Sequence, residues 1–261
     1  MSATLSTVTP FNAAVLLAAG FTAGGMNAVV GAGTLVTFPA LLAIGLPPVT
    51  ANVSNTLGIV PGSFTGAYGY REQLGSVRHL LRQIAVPATA GGLTGAALLL
   101  VLPARTFSAV VPALLLVAAA LVAVQPWLAR KLAQRRARVD PDAEMHAGPA
   151  LLASVYLVGI YGGYFGAAQG VLLLALFGVM LGGMQAANGV KNVIGAFVNV
   201  AAATLFALVA HVDWAAVGLL AVSSALGGAV GGRYGRNLPD ALLRAFVVLL
   251  AVGVAIKQML S

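Results

Sequence analysis

The chain contains no cysteine in 261 residues. Disulfides, thiolate catalysis and cysteine metal sites are therefore excluded. Charge is also scarce: Asp, Glu, Lys and Arg make up 8% of the residues, against 60% for hydrophobic ones. That balance is far from the soluble average and excludes a soluble globular domain. Short alternating segments, the mark of a transmembrane barrel, are missing too. Several apolar stretches approach or exceed the ~20 residues that a spanning helix needs. The composition thus predicts an all-α polytopic membrane protein. The first Lys or Arg is Arg71. A secretory leader needs a basic region ahead of its apolar core, so residues 11–30 are expected to be a retained span.

Acidic side chains are confined to loops and span ends: Glu72, Asp140, Asp142, Glu144, Asp213 and Asp240. Proton- and sodium-coupled transporters often place a carboxylate at the bilayer midplane. Its absence argues against carboxylate-driven coupling. Coupling through a protonatable substrate, or through sodium on backbone carbonyls, stays open. His79, His146 and His211 are far apart and lack metal-ligand spacing. No metal and no cofactor is expected. The net charge of +8 is concentrated, with Arg130, Lys131, Arg135, Arg136 and Arg138 in one loop between apolar blocks. Such a loop sets topology and meets anionic lipid. Membrane lipid is thus an expected partner and nucleic acid is not.

What is present is a duplicated pattern. Residues 11–30 form a first apolar block that ends in glycines. Residues 35–46 form a second, too short to span upright and stopped by Pro47 and Pro48. A short piece bounded by Gly and Pro has the character of a broken or re-entrant helix. Residues 49–70, 84–102 and 107–128 complete a first transmembrane repeat, 1–128. A basic linker, 129–148, follows, expected on the cytoplasmic side. A second repeat occupies 149–261. Gly24-Gly25 match Gly162-Gly163, and Gly45 matches Gly183, 138 positions on. After the Pro-containing junction the offset becomes 136: Asn52 with Asn188, Gly91-Gly92 with Gly227-Gly228, Gly95 with Gly231, Pro103 with Pro239. Offsets this steady predict two homologous repeats.

The connection 211–214 has no Lys or Arg, yet it corresponds to the basic stretch 71–82. If basic loops face the cytoplasm, the halves lie oppositely in the membrane. Inverted repeats with about 8–10 membrane segments are expected.

Each half carries one polar stripe. Asn188, Lys191, Asn192 and Asn199 fall on one helical face, and Asn52, Asn55, Thr56 and Ser63 repeat the spacing. Lys191 is the sole Lys, Arg, Asp or Glu between Met145 and Asp213. A cation inside a long apolar run is costly and reads as functional. The bland alternatives are snorkelling for Lys191 and interhelical hydrogen bonding for the amides. For Ser63 and Asn199 that structural role weighs as much as substrate contact, and Gln169 is a weaker candidate. Positive charge with amide and hydroxyl donors suits an anion. Each stripe also begins near an expected helix N-terminus, where N–H groups are unpaired. The expected substrate-binding residues are Asn52, Asn55, Thr56, Asn188, Lys191 and Asn192. Rival readings are a channel of the same fold, an enzyme with a Ser54–Lys191 dyad, and an accessory subunit. No catalytic residue is assigned. A homodimer is possible if the Gly-rich faces pack between chains.

The stretch G-F-T-A-G-G-M-N-A-V-V-G-A-G-T-L-V-T-F-P-A-L-L-A-I-G-L-P-P at 20–48, followed by T-A-N-V-S-N-T at 50–56, resembles the sulfite exporter TauE/SafE family. A-A-N-G-V-K-N at 186–192 is similar to that family's repeated motif, and H-V-D-W at 211–214 to its short loop. The similarity covers all but the central linker. It implies a multi-pass permease of the bacterial inner membrane that moves small sulfur-containing anions, sulfite or organosulfonates. One departure is G-S-V-R at 75–78, where the family commonly has an acidic residue after the valine; Asp213 alone keeps it.

Overall fold

A computed structural model describes residues 9–136, 147–181, 184–234 and 240–260. Gly183 and Pro239, which entered the repeat match, lie outside the described residues, as do linker residues 137–146. No strand occurs among the described residues. Ten helices follow in order: α1 Pro10–Val29, α2 Thr34–Ala43, α3 Pro48–Tyr68, α4 Arg78–Val101, α5 Ala104–Arg136, α6 Pro149–Tyr164, α7 Gln169–Met180, α8 Met184–Val209, α9 Trp214–Tyr234 and α10 Asp240–Leu260. A 3₁₀ segment, Arg71–Val77, joins α3 to α4.

Among the described residues, five helical stretches are long and apolar enough to cross a membrane: Pro10–Val29, Arg78–Val101, Ala104–Leu128, Gln185–Val209 and Trp214–Tyr234. The helix α3 has the length, at 21 residues, but its polar stripe lowers its hydropathy. The pieces α2 and α7, of 10 and 12 residues, are the short broken helices expected from the Gly and Pro pattern. Polarity runs outside-in. Asn52, Asn55, Lys191 and Asn192 are buried, while Phe11, Val86, Val101 and Leu208 stand exposed. Apolar outside and polar inside is the arrangement a bilayer demands.

Two boundaries differ from expectation. The helix α4 begins at Arg78, inside the stretch read as a loop, and α5 continues to Arg136, eight residues into the linker. Residues 129–136 read A-R-K-L-A-Q-R-R, all strong helix formers without Gly or Pro. Nothing in that stretch stops the helix. On its surface Lys131 Nζ lies 4.7 Å from the Trp127 ring centroid, a cation–aromatic pair of the kind found at membrane interfaces.

The halves α1–α5 and α6–α10 interlock. The helix α1 lies along α9 and α4 lies along α6. A Cβ on Gly24 would stand 2.1 Å from Ser224 O, and one on Gly227 would stand 1.9 Å from Phe21 O. In the mirrored contact, a Cβ on Gly91 would stand 2.3 Å from Tyr156 O and one on Gly159 would stand 2.8 Å from Ala88 O. Backbone meets backbone in both, and only small residues permit this. The Gly-rich faces are therefore used within one chain.

These contacts also correct the sequence register. Ser224 and Ala88 are counterparts 136 apart, so Gly24 pairs with Gly159, 135 positions on, and not with Gly162. The Gly162 match is a slip of about one helical turn. Glycines recur at turn spacing on that face, so neighbouring registers score alike. The true offsets, 135 and then 136, need a single inserted residue.

Direction follows from two contacts. Asn199 reaches Ser63, and Gly189 packs on Tyr70. Advancing along α3 thus means retreating along α8, so these counterpart helices run antiparallel. That is compatible with the inverted arrangement expected from the charged loops. Asn199 Nδ2 donates to Ser63 Oγ at 3.2 Å across a separation of 136 residues. A residue bonded to its own counterpart lies beside the pseudo-two-fold axis.

Candidate functional site

The axis passes between two broken helices. In the first half, the N–H groups of Val30 and Gly31 donate to Met26 O at 2.7 and 2.9 Å and close α1. Gly31 has φ +82°, a left-handed conformation that favours glycine and turns the chain out of the helix. In the second half, Phe165 and Gly166 donate to Tyr161 O, both at 3.0 Å, with Gly166 at φ +74°. The breaks are copies 135 residues apart. They touch: Gly170 N–H donates to Gly31 O at 3.1 Å, and a Cβ on either glycine would lie 2.4 Å from the other's Cα.

Helix C-termini leave carbonyls unpaired and carry partial negative charge. Here each is satisfied from the opposite half. Lys191 Nζ, on α8, donates to Asn27 O, Ala28 O and Val29 O at 3.1, 3.2 and 3.3 Å. Asn192 Nδ2 adds a bond to Ala28 O at 3.1 Å. Lys191 is 2% exposed, so it does not snorkel. Its ammonium has three protons, and all three are spent on the last turn of α1. On the other side Asn52 Nδ2 donates to Tyr164 O at 2.9 Å, the last residue of α6.

Asn55 and Thr56 are engaged in structural hydrogen bonds in this conformation. Asn55 Oδ1 accepts from Thr37 Oγ1, and Asn55 Nδ2 donates to Thr34 Oγ1 at 3.4 Å, tying α3 to α2. Thr56 Oγ1 donates to Asn52 O of its own helix at 2.9 Å. Asn188 is half-buried, and its Oδ1 has no partner among the described residues.

A cavity of about 40 Å³ lies where the breaks meet, with Lys191, Asn192, Asn199, Ser63, Asn27, Thr34 and Gln169 in its wall. That is room for a few waters. Among the described residues, no carboxylate lines it. Of the six expected site residues, Lys191 and Asn192 reach this wall; Asn52, Asn55, Thr56 and Asn188 do not. The N-termini facing the cavity also differ from expectation. They belong to α2 and α7, since Thr34 and Gln169 line it, and not to α3 and α8. The stripes begin one turn inside α3 and α8, so the starts of those helices lie away from the axis. Asn27 and Thr34 were missed. Their signal was the duplicated helix break itself, which places flanking residues at the centre.

Ser54 and Lys191 have separate partners. Ser54 Oγ accepts from Asp213 N–H at 3.0 Å, while Lys191 serves α1. Asp213 Oδ1 accepts from Ala216 N–H at 2.9 Å, which makes it the N-cap of α9. The H-V-D-W loop is thus a helix start fastened to the second turn of α3.

Ten helices, an apolar exterior and a polar cavity at the junction of two broken helices define a multi-pass membrane transporter. The chain belongs to the sulfite exporter TauE/SafE family, whose model matches residues 16–258. It is 28% identical over 249 residues to "Probable membrane transporter protein ORF9" of Sinorhizobium sp, covering 94% of this chain and 91% of the relative. It is 27% identical over 252 residues to "Probable membrane transporter protein YfcA" of Escherichia coli strain K12, covering 96% and 90%. A "Probable membrane transporter protein" of Haemophilus influenzae is 26% identical over 247 residues, covering 94% and 93%. No solved structure matches. A multi-pass protein of the bacterial inner membrane is what the family and the apolar helices together describe.

Proposed function

We propose that this chain is a permease for small sulfur-containing oxyanions, of the sulfite or organosulfonate class, with the anion held between the two halves. The observation that carries the reading is the cavity on the pseudo-two-fold axis, walled by a buried lysine and amides and by no carboxylate. A lone positive charge in a low-dielectric site attracts an anion strongly. The sulfite exporter name of the family supports the substrate class. The relatives' names give transport without a substrate. Lys191 supplies charge and Asn192 stands beside it in the wall. Asn52 ties α3 to the end of α6 and Asn55 ties it to α2, while Thr56 bonds within α3. Broken helices meeting between two halves suit a carrier in which one half moves against the other. An enzyme is disfavoured, because the one conceivable dyad is divided between two unrelated hydrogen-bond systems.

The test is flux into proteoliposomes of sulfite, sulfate, thiosulfate and methanesulfonate, with wild type and Lys191→Met side by side. Saturable flux of at least one anion, lost in a folded Lys191→Met variant, is the expected result. A folded wild type that moves none of them would sink the proposal.

A further inference from the structure

Lys191 has no proton left for a ligand, because its three N–H bonds end on Asn27 O, Ala28 O and Val29 O. Other amides of the wall are partly engaged. Asn192 Nδ2 and Asn199 Nδ2 each spend one of their two protons, on Ala28 O and Ser63 Oγ. The first three backbone N–H groups of α7, from Gln169, Gly170 and Val171, are on Gly166 O, Gly31 O and Ala168 O. An anion in the cavity therefore needs donors other than Lys191.

Two side chains at the starts of the broken helices supply them. Gln169 is 5% exposed, lines the cavity, and its Nε2 has no partner among the described residues. A buried amide left unsatisfied is costly unless a ligand or water completes it. Thr34 is 3% exposed and lines the same cavity. Its Oγ1 accepts from Asn55 Nδ2, which leaves its own proton to donate. The two residues are counterparts, 135 apart, and each is the first residue of a broken helix. The positive ends of α2 and α7 therefore point at the same space, an arrangement that favours negative charge.

We propose that Gln169 and Thr34 are the direct ligands of the transported anion, which sits between the starts of α7 and α2 while Lys191 acts through its charge alone. The assignment rests on the oxyanion reading above. It adds a constraint on the substrate. Donors approaching from two opposed helices require an anion with at least two accessible acceptor oxygens, as sulfite, sulfate and sulfonates have.

The experiment uses the full chain in proteoliposomes, with sulfite, sulfate, thiosulfate and methanesulfonate as probes. Gln169→Met removes both amide protons at similar length. Thr34→Val removes the hydroxyl at similar shape, and Thr34→Ser keeps it. For the best-transported probe, the half-saturation concentration should rise about tenfold or more in Gln169→Met and in Thr34→Val. Thr34→Ser should stay within about twofold of wild type. If Gln169→Met fails to fold, the Thr34 pair still decides. Unchanged half-saturation in folded Gln169→Met, or equal losses in Thr34→Ser and Thr34→Val, would overturn this assignment and leave the oxyanion reading standing. A folded wild type that moves no probe would overturn both.

Discussion

Gly95→Ala puts one methyl group into the contact between α4 and α6. A Cβ there would lie 2.0 Å from Ile160 O, 2.7 Å from Tyr164 N and 2.9 Å from Ile160 C. All three are backbone atoms, so no side-chain rotation relieves the clash. Restoring an ordinary separation of ~3.5 Å requires the helices to part by roughly 1.5 Å. That loosens the neighbouring contacts of Gly91 with Tyr156 O and of Gly163 with Gly92 O. Overpacking costs about 1–3 kcal/mol, and a backbone-on-backbone clash belongs at the upper end. At ~3 kcal/mol, a chain of this size should lose roughly 6–12 °C in melting temperature. The control is Gly218→Ala on the same kind of helix, α9, where a Cβ meets nothing within 4 Å. There the gain in helix propensity, up to ~1 kcal/mol, should leave the melt unchanged or slightly higher. Thermal unfolding in detergent at one scan rate reads both. A Gly95→Ala protein that melts with the wild type would refute the close approach of α4 to α6.

Further outcomes test other parts of the fold. Gly231→Ala, the counterpart of Gly95, meets Gly25 Cα at 2.6 Å and Gly25 O at 2.7 Å. Its melt should fall by less than that of Gly95→Ala, and a larger fall would contradict the packing described. The absence of cysteine makes side-of-membrane labelling direct: Glu72→Cys and His211→Cys should react with an impermeant thiol reagent from opposite faces. Labelling from one face would rule out inverted halves. A double-mutant cycle on Ser63→Ala and Asn199→Ala should show a coupling of about 0.6 kcal/mol in unfolding, typical of interhelical hydrogen bonds in membranes. Strict additivity would mean the pair is not bonded. Asp213→Ala removes the N-cap of α9 and should cost about 1 kcal/mol; an unchanged melt would show that the cap contributes nothing.

The sequence by itself determined the membrane class and the duplicated pattern, and it singled out Lys191 as a lone cation in an apolar run. Each is a one-dimensional property. Apolar length decides whether a helix can span, repeat spacing survives as constant offsets, and a lone cation in an apolar run needs a partner wherever it points. Sequence also showed a first apolar block ending in glycines and a short second piece; the left-handed turns at Gly31 and Gly166 that make the breaks came from the structure. Sequence could not decide what Lys191 binds. Asn27, Ala28 and Val29 offer carbonyls, which every residue has, so no side chain announces them. Nor could it fix the register of the first helix pair, since glycines one turn apart present the same small face. The wall of the cavity was hidden for a related reason. Asn52, Asn55 and Thr56 share a stripe with Ser63, yet only Ser63 reaches the axis. A helical face tells which residues point inward together. Which level of that face meets the opposite half depends on how α3 and α8 cross, and the tertiary structure alone decides that.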